Sequence, residues 1–126
     1  MITLPIPKGI KQFGEQHSKG WGYEVWLDNR PEYCGKILHF DKGKKCSFHY
    51  HQLKTESFAI LFGKILLKYS ENDNLEEAQA IILERGETFF IYPGLRHQMI
   101  GLEESEILEI STQHFETDSI RIVRGD

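Results

Sequence analysis

Short segments in which apolar and polar residues alternate recur along most of the chain, separated by glycine, proline, asparagine or aspartate. Alternation with a period of two is typical of β-strands that bury one face. The segments follow one another at roughly 8 to 12 residues, the spacing of an all-β sandwich or barrel. The pattern predicts strands at residues 21–27, 33–40, 45–51, 57–69 (two strands bent at Gly63), 80–83, 88–92, 97–100, 106–112 and 120–126.

The same pattern indicates a single all-β domain. No segment has a sustained helical period, and the polar segment 70–77 is predicted to be a hairpin loop with at most one helical turn. Residues 1–20 are predicted to form an N-terminal arm or edge strand that could cross to a partner subunit. Residues 21–126 would then form the one domain for which a chain of 126 residues is long enough.

Composition excludes several classes of function. A net charge of -4 argues against a nucleic-acid surface, which needs clustered cations. No apolar run approaches the roughly 20 residues of a membrane span, and the N-terminus lacks the apolar core of a signal peptide. Cys34 and Cys46 are too few for a disulfide framework and suit a reducing cytoplasm, where we expect the protein to reside. Cys46 lies close to the histidines described next and stays a candidate for a role there.

Four residues in two separate segments carry the candidate chemistry. His49 and His51 alternate on one predicted strand, so both imidazoles project from the same face, as does Ser47. Glu56 follows after a step long enough for a turn that returns its carboxylate, and His97 is placed to complete a four-ligand metal site. The other histidines lie outside this pattern and are interpreted as solvated or hydrogen-bonded residues: His17, His39 and His114.

The two segments resemble the two motifs of the cupin superfamily. The first, Gly43-x5-His49-x-His51-x4-Glu56-x6-Gly63, matches the first cupin motif at each defining position. The resemblance covers the chain from about residue 21 onward. It implies a single-domain cupin jelly-roll β-barrel that holds one divalent metal ion.

The second segment runs from Gly86 to His97 and contains Pro93-Gly94 before the histidine, as the second cupin motif does. It departs from the family pattern at Tyr92, where a proline is frequent, and at Gly101, where an asparagine is. Both differences concern turn rigidity and supporting hydrogen bonds rather than the ligands. The resemblance therefore implies the complete ligand set His49, His51, Glu56 and His97.

Three neutral imidazoles and one carboxylate leave one or two positions for water or substrate on an octahedral ion. Such mixed nitrogen and oxygen ligation suits Zn, Mn, Fe, Co or Ni. The ion would polarise a carbonyl or lower the pKa of bound water toward about 7. Because cupins include isomerases, epimerases, dioxygenases, decarboxylases and non-catalytic sugar sensors, the motifs alone leave the reaction open.

The segments that flank the motifs are similar to the cupin domain of type II phosphomannose isomerases, which interconvert an aldose phosphate and a ketose phosphate with a bound metal. The similarity lies in Trp21-Gly22-Tyr23-Glu24, Lys36, Leu108-Glu109-Ile110 and 117–121. It implies a metal-dependent isomerase or epimerase of a sugar or sugar phosphate. The proton would move through an enediolate, carried by Glu109 or a metal-bound hydroxide, while Lys36 balances the negative charge.

The roles of Lys36 and Glu109 depend on which face of their strands they occupy. If Lys36 shares the face of Leu38 and Phe40, it lies inside the barrel and needs an anionic partner, either a sugar phosphate or Glu109. If Glu109 faces inward, its pKa is raised and it can shuttle a proton. The opposite phasing places both side chains in water. Further candidates for substrate contact are Arg96 at the barrel mouth, Ser47 and Tyr23.

Two other functions remain open at this point. A small cupin could bind a sugar or a metal ion without turnover, or it could be an iron-dependent dioxygenase, since three histidines and one glutamate also suit Fe. Phe48 and Tyr50 occupy the outward positions beside the histidines, where an isolated barrel would expose them. Exposed aromatic residues of this size favour a homodimer, unless a loop or the N-terminal arm covers them.

Overall fold

The structure is a computed structural model that describes residues 9–126. The part of the predicted N-terminal arm at residues 1–8 lies outside the described residues. Eleven β-strands are present in the described part: β1 Glu15–Lys19, β2 Gly22–Asn29, β3 Cys34–Phe40, β4 Phe48–His51, β5 Glu56–Phe62, β6 Lys64–Ser70, β7 Gln79–Glu84, β8 Thr88–Ile91, β9 Arg96–Gly101, β10 Ser105–Ser111 and β11 Ser119–Val123.

The strands form two antiparallel sheets. The first sheet has six strands in the order β1-β2-β3-β10-β5-β8, and the second has five in the order β11-β4-β9-β6-β7. Consecutive strands alternate between the sheets from β3 to β6 and again from β7 to β11, while β6 and β7 pair as a hairpin in the second sheet. The two sheets face each other as a jelly roll. The all-β prediction is confirmed.

Helical structure is confined to two short 3₁₀ helices, Leu75–Glu77 and Glu116–Asp118, within residues 9–126. The first lies in the segment predicted as a hairpin loop with one helical turn. None of the described helices is long and apolar enough to cross a membrane.

The hydrophobic core lies between the sheets and is built from the inward positions of the alternating strands. Leu38 and Phe40 on β3 face Ile65 and Leu67 on β6 across the interior, and all four side chains are buried. Burial of this kind supplies about 1.5 to 3 kcal/mol for each large apolar side chain. The core fills one part of the interior, and the remainder is lined by polar and charged side chains.

Gly63 shows why a glycine is needed at the turn between β5 and β6. Its φ of +90° lies in the left-handed region. A Cβ at this position would come within 2.4 Å of the Glu104 carbonyl oxygen. Gly101, which departs from the family pattern, is similarly crowded, because a Cβ there would lie 2.9 Å from the Asp41 carbonyl oxygen.

The predicted strands correspond to β2 through β11, with boundaries that differ by a few residues. The largest difference is at residues 45–51, where the regular strand begins only at Phe48. Lys45 forms an isolated bridge with Ile100, and its backbone N–H donates to the Asp126 carboxylate. At residues 15–19, inside the segment predicted as an arm or edge strand, β1 pairs with β2 at the edge of the first sheet.

The prediction that an isolated barrel exposes Phe48 is wrong. Its side chain points away from the core between the sheets, as alternation requires, but it is completely buried. Gln98, which neighbours His97 and Met99 on β9, is buried too, so the outward face is covered around these strands. Tyr50 is half-buried, and the Arg96 guanidinium lies 3.9 Å from the centre of its ring.

Candidate metal centre

Three histidines from two neighbouring strands of the second sheet meet on the inner wall. His49 on β4 is directly paired with His97 on β9, and His51 lies two residues further along β4 on the same face. The ring centres are 4.5 Å apart for His49 and His97 and 5.1 Å apart for His49 and His51. The candidate ligand atoms of the three imidazoles all lie within 4.8 Å of one another, so the cluster can hold a metal ion.

Backbone carbonyl groups orient two of the imidazoles. His49 Nδ1 lies 2.9 Å from the Ser47 carbonyl oxygen, and His97 Nδ1 lies 2.9 Å from that of Leu95. A proton donated from Nδ1 leaves the lone pair of Nε2 free to bind a metal ion. His97 Nε2 is buried and has no hydrogen-bond partner among residues 9–126, as expected of a ligand atom.

Glu56, the first residue of β5, brings a carboxylate from the other sheet to the histidine cluster. Its Oε1 lies 3.0 Å from His97 Nε2 and 3.6 Å from His51 Nε2, yet it makes no hydrogen bond within the described part of the chain. Two ligands at right angles on one ion, each bound at about 2.1 Å, are separated by about 3 Å. These distances therefore fit atoms that share an ion, and Glu56 joins the three histidines as a candidate ligand.

The loop between β4 and β5 determines where the Glu56 carboxylate lies. The carboxylate of Asp118 accepts hydrogen bonds from the backbone N–H groups of Gln52 at 2.9 Å, Leu53 at 2.7 Å and Lys54 at 3.1 Å. Asp118 is itself buried. A single carboxylate thus fixes the crossing from the second sheet to the first.

Lys54 is a buried residue of the site that sequence reasoning missed. Its ammonium lies 3.2 Å from Glu56 Oε2 and 2.7 Å from Glu109 Oε2, and its side chain is only 2% exposed. Lys54 therefore connects the candidate metal ligand with the candidate proton carrier. Its position between His51 and Glu56 was visible in the sequence, but a loop has no period from which its direction could be predicted.

Lys36 and Glu109 both face the interior, which resolves the phasing left open by the sequence. They are direct neighbours across β3 and β10, but each makes its closest ion pair elsewhere. Glu109 contacts Lys54, and the Ser111 hydroxyl donates to the same oxygen at 3.2 Å. Lys36 Nζ lies 3.8 Å from Glu24 Oε1 and 4.5 Å from the centre of the Trp26 ring.

Burial and neighbouring charges set the ionisation of the site. Burial, with the nearby imidazoles, lowers the pKa of His49 to about 3, and burial lowers the pKa of His51 to about 4. Both are neutral at pH 7, the form that binds metals. Burial alone would raise the pKa of Glu56, but His97 and Lys54 hold it well below its usual value. Burial and the charge of Glu56 raise the pKa of Glu109.

These residues line one cavity of about 680 Å³ between the sheets. The three histidines line it from the second sheet, and Glu56, Lys36 and Glu109 line it from the first. Lys54 enters it from the loop between β4 and β5. Exposed cations and anions, among them Lys19, Arg121 and Glu116, stand at its margin. The volume is within the range of small-molecule sites, so the cavity can take a ligand beside a metal ion.

The structure corrects two of the expected substrate contacts. Arg96 neighbours His97 on β9 and therefore points to the opposite side, where it bonds Asp73 and does not line the cavity. Tyr23 also points outward and stacks on His39, with ring centres 4.7 Å apart. Ser47 does line the cavity, and its hydroxyl lies 3.1 Å from His49 Nδ1.

The remaining candidates occupy different environments. Cys46 lines the cavity, but burial raises the pKa of its thiol to about 12. His39 lies between Glu104 and Glu106, with ring nitrogens 3.1 and 3.2 Å from their oxygens. His114, interpreted from sequence as an ordinary histidine, lines the cavity, with Nδ1 3.5 Å from the Lys54 ammonium.

Solved structures with the same architecture include three cupin-fold proteins. CapF, a capsular polysaccharide assembling protein from Staphylococcus aureus, matches 90% of this chain and 33% of its own with a TM-score of 0.76 and 16% identity. KdgF from Halomonas sp. matches 82% of this chain and 91% of its own, with a TM-score of 0.70 and 14% identity. Oxalate decarboxylase from Bacillus subtilis matches 92% of this chain and 33% of its own, with a TM-score of 0.73 and 11% identity. This chain has the cupin fold.

The cupin chain spans about a third of the length of CapF and of oxalate decarboxylase. No protein-family model matches the sequence, and no curated protein matches it either. At these identities the comparisons establish the fold and leave the reaction to the residues of the cavity. The similarity to type II phosphomannose isomerases stays a prediction.

Proposed function

We propose that this cupin holds one divalent metal ion through His49, His51, His97 and Glu56 and isomerises or epimerises a sugar or sugar phosphate. The observation that carries the proposal is that a buried carboxylate, Glu109, lines the same cavity as the four candidate ligands. An isomerase of this kind needs a group that polarises the substrate carbonyl and a base that moves a proton between adjacent carbons. The cavity offers candidates for both.

The roles of the side chains follow from their surroundings. A bound divalent ion would polarise the substrate carbonyl and its neighbouring hydroxyl. Glu109 would take the proton from one carbon and return it to the next, and its raised pKa brings it closer to the range in which a carboxyl can do both. Lys36 would balance the negative charge of the enediolate, while Ser47 holds the imidazole of His49.

The donor set favours a first-row metal. Three imidazole nitrogens and one carboxylate oxygen suit Zn, Mn, Fe, Co or Ni and are a poor match for Ca²⁺, which prefers six to eight oxygen ligands. Two buried atoms that face each other without hydrogen-bond partners among the described residues, His97 Nε2 and Glu56 Oε1, support an ion at this position.

Exchange of substrate hydrogen with solvent tests the proposed reaction. The metal-loaded protein is incubated in deuterated water with a panel of aldose and ketose sugars and their phosphates. Deuterium at C1 or C2, abolished in Glu109→Gln, is the expected result, and no incorporation with any member of the panel sinks the proposal. Oxygen consumption that depends on Fe(II) in the same preparation would indicate a dioxygenase instead.

A second candidate function is a cupin that binds a sugar without turnover. It is favoured by the contacts of Glu109, whose carboxylate is already engaged by Lys54 at 2.7 Å and by the Ser111 hydroxyl at 3.2 Å. A base held in this way must release its partners before it can take a proton from carbon. Sugar affinity without deuterium exchange would support this function, and turnover that depends on Glu109 would exclude it.

We further propose that the protein resides in the cytoplasm and forms a homodimer. Two buried free thiols, Cys34 and Cys46, support a reducing compartment. The outward face of the first sheet exposes large apolar side chains, including Ile110 at 56% and Phe90 at 58%. A face of this kind is expected at an interface between subunits. A monomeric mass by sedimentation at micromolar concentration would contradict the dimer.

A further inference from the structure

Lys36 carries a buried charge that the described residues leave without a hydrogen bond. Its side chain is 3% exposed, and it lines the cavity. The nearest carboxylate oxygen in residues 9–126 is Glu24 Oε1 at 3.8 Å, which is beyond hydrogen-bond distance. Because an ammonium has three donors and is costly to bury, it calls for an acceptor within the cavity.

Two carboxylates that neighbour Lys36, those of Glu24 and Glu109, are already engaged by other groups. Glu24 Oε1 accepts a hydrogen bond of 2.6 Å from the Trp26 indole nitrogen. Glu109, the cross-strand neighbour of Lys36, is held by Lys54. The Trp26 ring, 4.5 Å from Lys36 Nζ, supports the ammonium from one side. The donors of Lys36 are therefore available to a ligand in the cavity.

The buried charged side chains that line the cavity indicate the charge of that ligand. Two ammonium groups, Lys36 and Lys54, stand against three carboxylates, Glu24, Glu56 and Glu109, each with a side chain no more than 13% exposed. With Glu109 ionised beside Lys54 and a divalent ion at the histidines, these five side chains and the ion together have a net charge of about +1. A single negative charge on the ligand neutralises it, whereas a doubly charged group leaves an excess negative charge.

We propose that Lys36 binds a carboxylate of the substrate, so that the substrate is a sugar acid or a related hydroxy acid with one negative charge. This inference rests on the proposed function and specifies its substrate class. Lys36 would then balance the permanent charge of the substrate carboxylate as well as the negative charge that develops on the enediolate during proton transfer. The carboxylate lies on the side of the first sheet, and the hydroxyl and carbonyl oxygens reach across to the histidines of the second.

A carboxylate fits this position better than a phosphate does. Phosphate groups in proteins are typically held by arginine forks, several cations or rows of backbone N–H groups. The arginines that line the cavity, Arg121 and Arg124, are exposed, whereas Lys36 is buried. Lys36 offers one ammonium, which matches one carboxylate.

Two matched pairs of ligands test the proposal by calorimetry on the zinc-loaded protein. Glucuronate is compared with glucose and gluconate with glucitol, since each pair differs in a carboxylate at one carbon. Glucose 6-phosphate provides the phosphate arm. We expect at least one carboxylate to bind about 10- to 100-fold more tightly than its neutral counterpart, as one charged hydrogen bond provides. Lys36→Met should remove this difference, and Lys36→Gln should reduce it.

Lys64→Met is the matched control, because Lys64 is a partly exposed lysine that does not line the cavity. It removes the same charge and should leave all affinities unchanged. Metal content and circular dichroism establish that each variant is folded. Equal or absent binding of both carboxylates, tightest binding of glucose 6-phosphate, or an unchanged carboxylate preference in Lys36→Met overturns the proposal.

The outcome is separable from that of the proposed reaction. Carboxylate binding that depends on Lys36, without deuterium exchange in any sugar, would leave the subsite standing and remove the isomerase. Deuterium exchange in neutral or phosphorylated sugars that is unchanged in Lys36→Met would leave the isomerase standing and remove the carboxylate subsite.

Discussion

Lys54 and Glu56 are two residues apart in the sequence, and their side chains meet inside the cavity, with Nζ 3.2 Å from Oε2. The other carboxylate oxygen, Oε1, faces the imidazoles of His51 and His97. The ammonium thus holds one oxygen of Glu56 and leaves the other directed at the candidate metal position. It also pairs with Glu109, so one buried cation sits between two buried carboxylates.

Lys54→Met should destabilise the metal-free protein by about 3 kcal/mol, because it leaves two buried carboxylates without their cation. The loss should be smaller with metal bound, since the ion still compensates Glu56. Denaturant titrations with and without Zn²⁺ measure both values. Lys64→Met, which breaks a partly exposed pair of 3.9 Å, should cost less than about 1 kcal/mol. A loss in Lys54→Met no larger than in this control would show that Lys54 does not compensate the carboxylates.

Asp118→Ala should weaken metal binding although Asp118 lies outside the ligand set. The substitution leaves the N–H groups of Gln52, Leu53 and Lys54 without their acceptor, and the loop that carries Glu56 loses its anchor. We expect a loss of about 2 to 4 kcal/mol in stability and a roughly tenfold rise in the Kd for Zn²⁺. Thr117→Ala, at an exposed neighbour, is the control. Unchanged zinc affinity in Asp118→Ala would contradict the anchoring role.

The strands and most of the ligands could be predicted from the sequence because a strand has a period of two. That period places His49 and His51 on one face. It also places Arg96 on the face opposite to His97, so the predicted contact between Arg96 and the substrate was inconsistent with the alternation. Alternation indicates the face of Phe48 but not what covers that face. Lys54 could not be placed, because residues 52–55 form a loop whose direction is set by Asp118, 64 residues from Lys54.

Acid should destabilise the metal-free protein at a pH where most exposed side chains do not change their protonation state. The pKa of His49 is lowered to about 3 and that of His51 to about 4, whereas in the unfolded chain both are near 6.5. Below pH 6.5 the two histidines therefore become protonated in the unfolded state while they stay neutral in the folded state. The stability contributed by the two neutral histidines is complete above about pH 6.5 and is lost as the pH falls toward 4 and then 3.

Denaturant midpoints of the metal-free protein between pH 8 and pH 4 measure this effect. Each unit of pKa difference corresponds to about 1.4 kcal/mol, so the fall below pH 6.5 should be steep. A variant with both His49→Asn and His51→Asn should show a shallower fall. The same slope in this variant as in the wild type would assign the acid sensitivity to other groups.

The metal content of the purified chain tests the central claim most directly. After incubation with Zn, Mn, Fe, Co and Ni salts and removal of free metal, the wild type should retain about one ion per chain by elemental analysis. His97→Ala should retain little, because it removes a buried ligand at the centre of the cluster. His17→Ala, on the edge strand β1 and outside the cavity, should retain as much as the wild type. A wild-type chain that retains none of these metals, or a His97→Ala variant that retains as much as His17→Ala, would contradict the account.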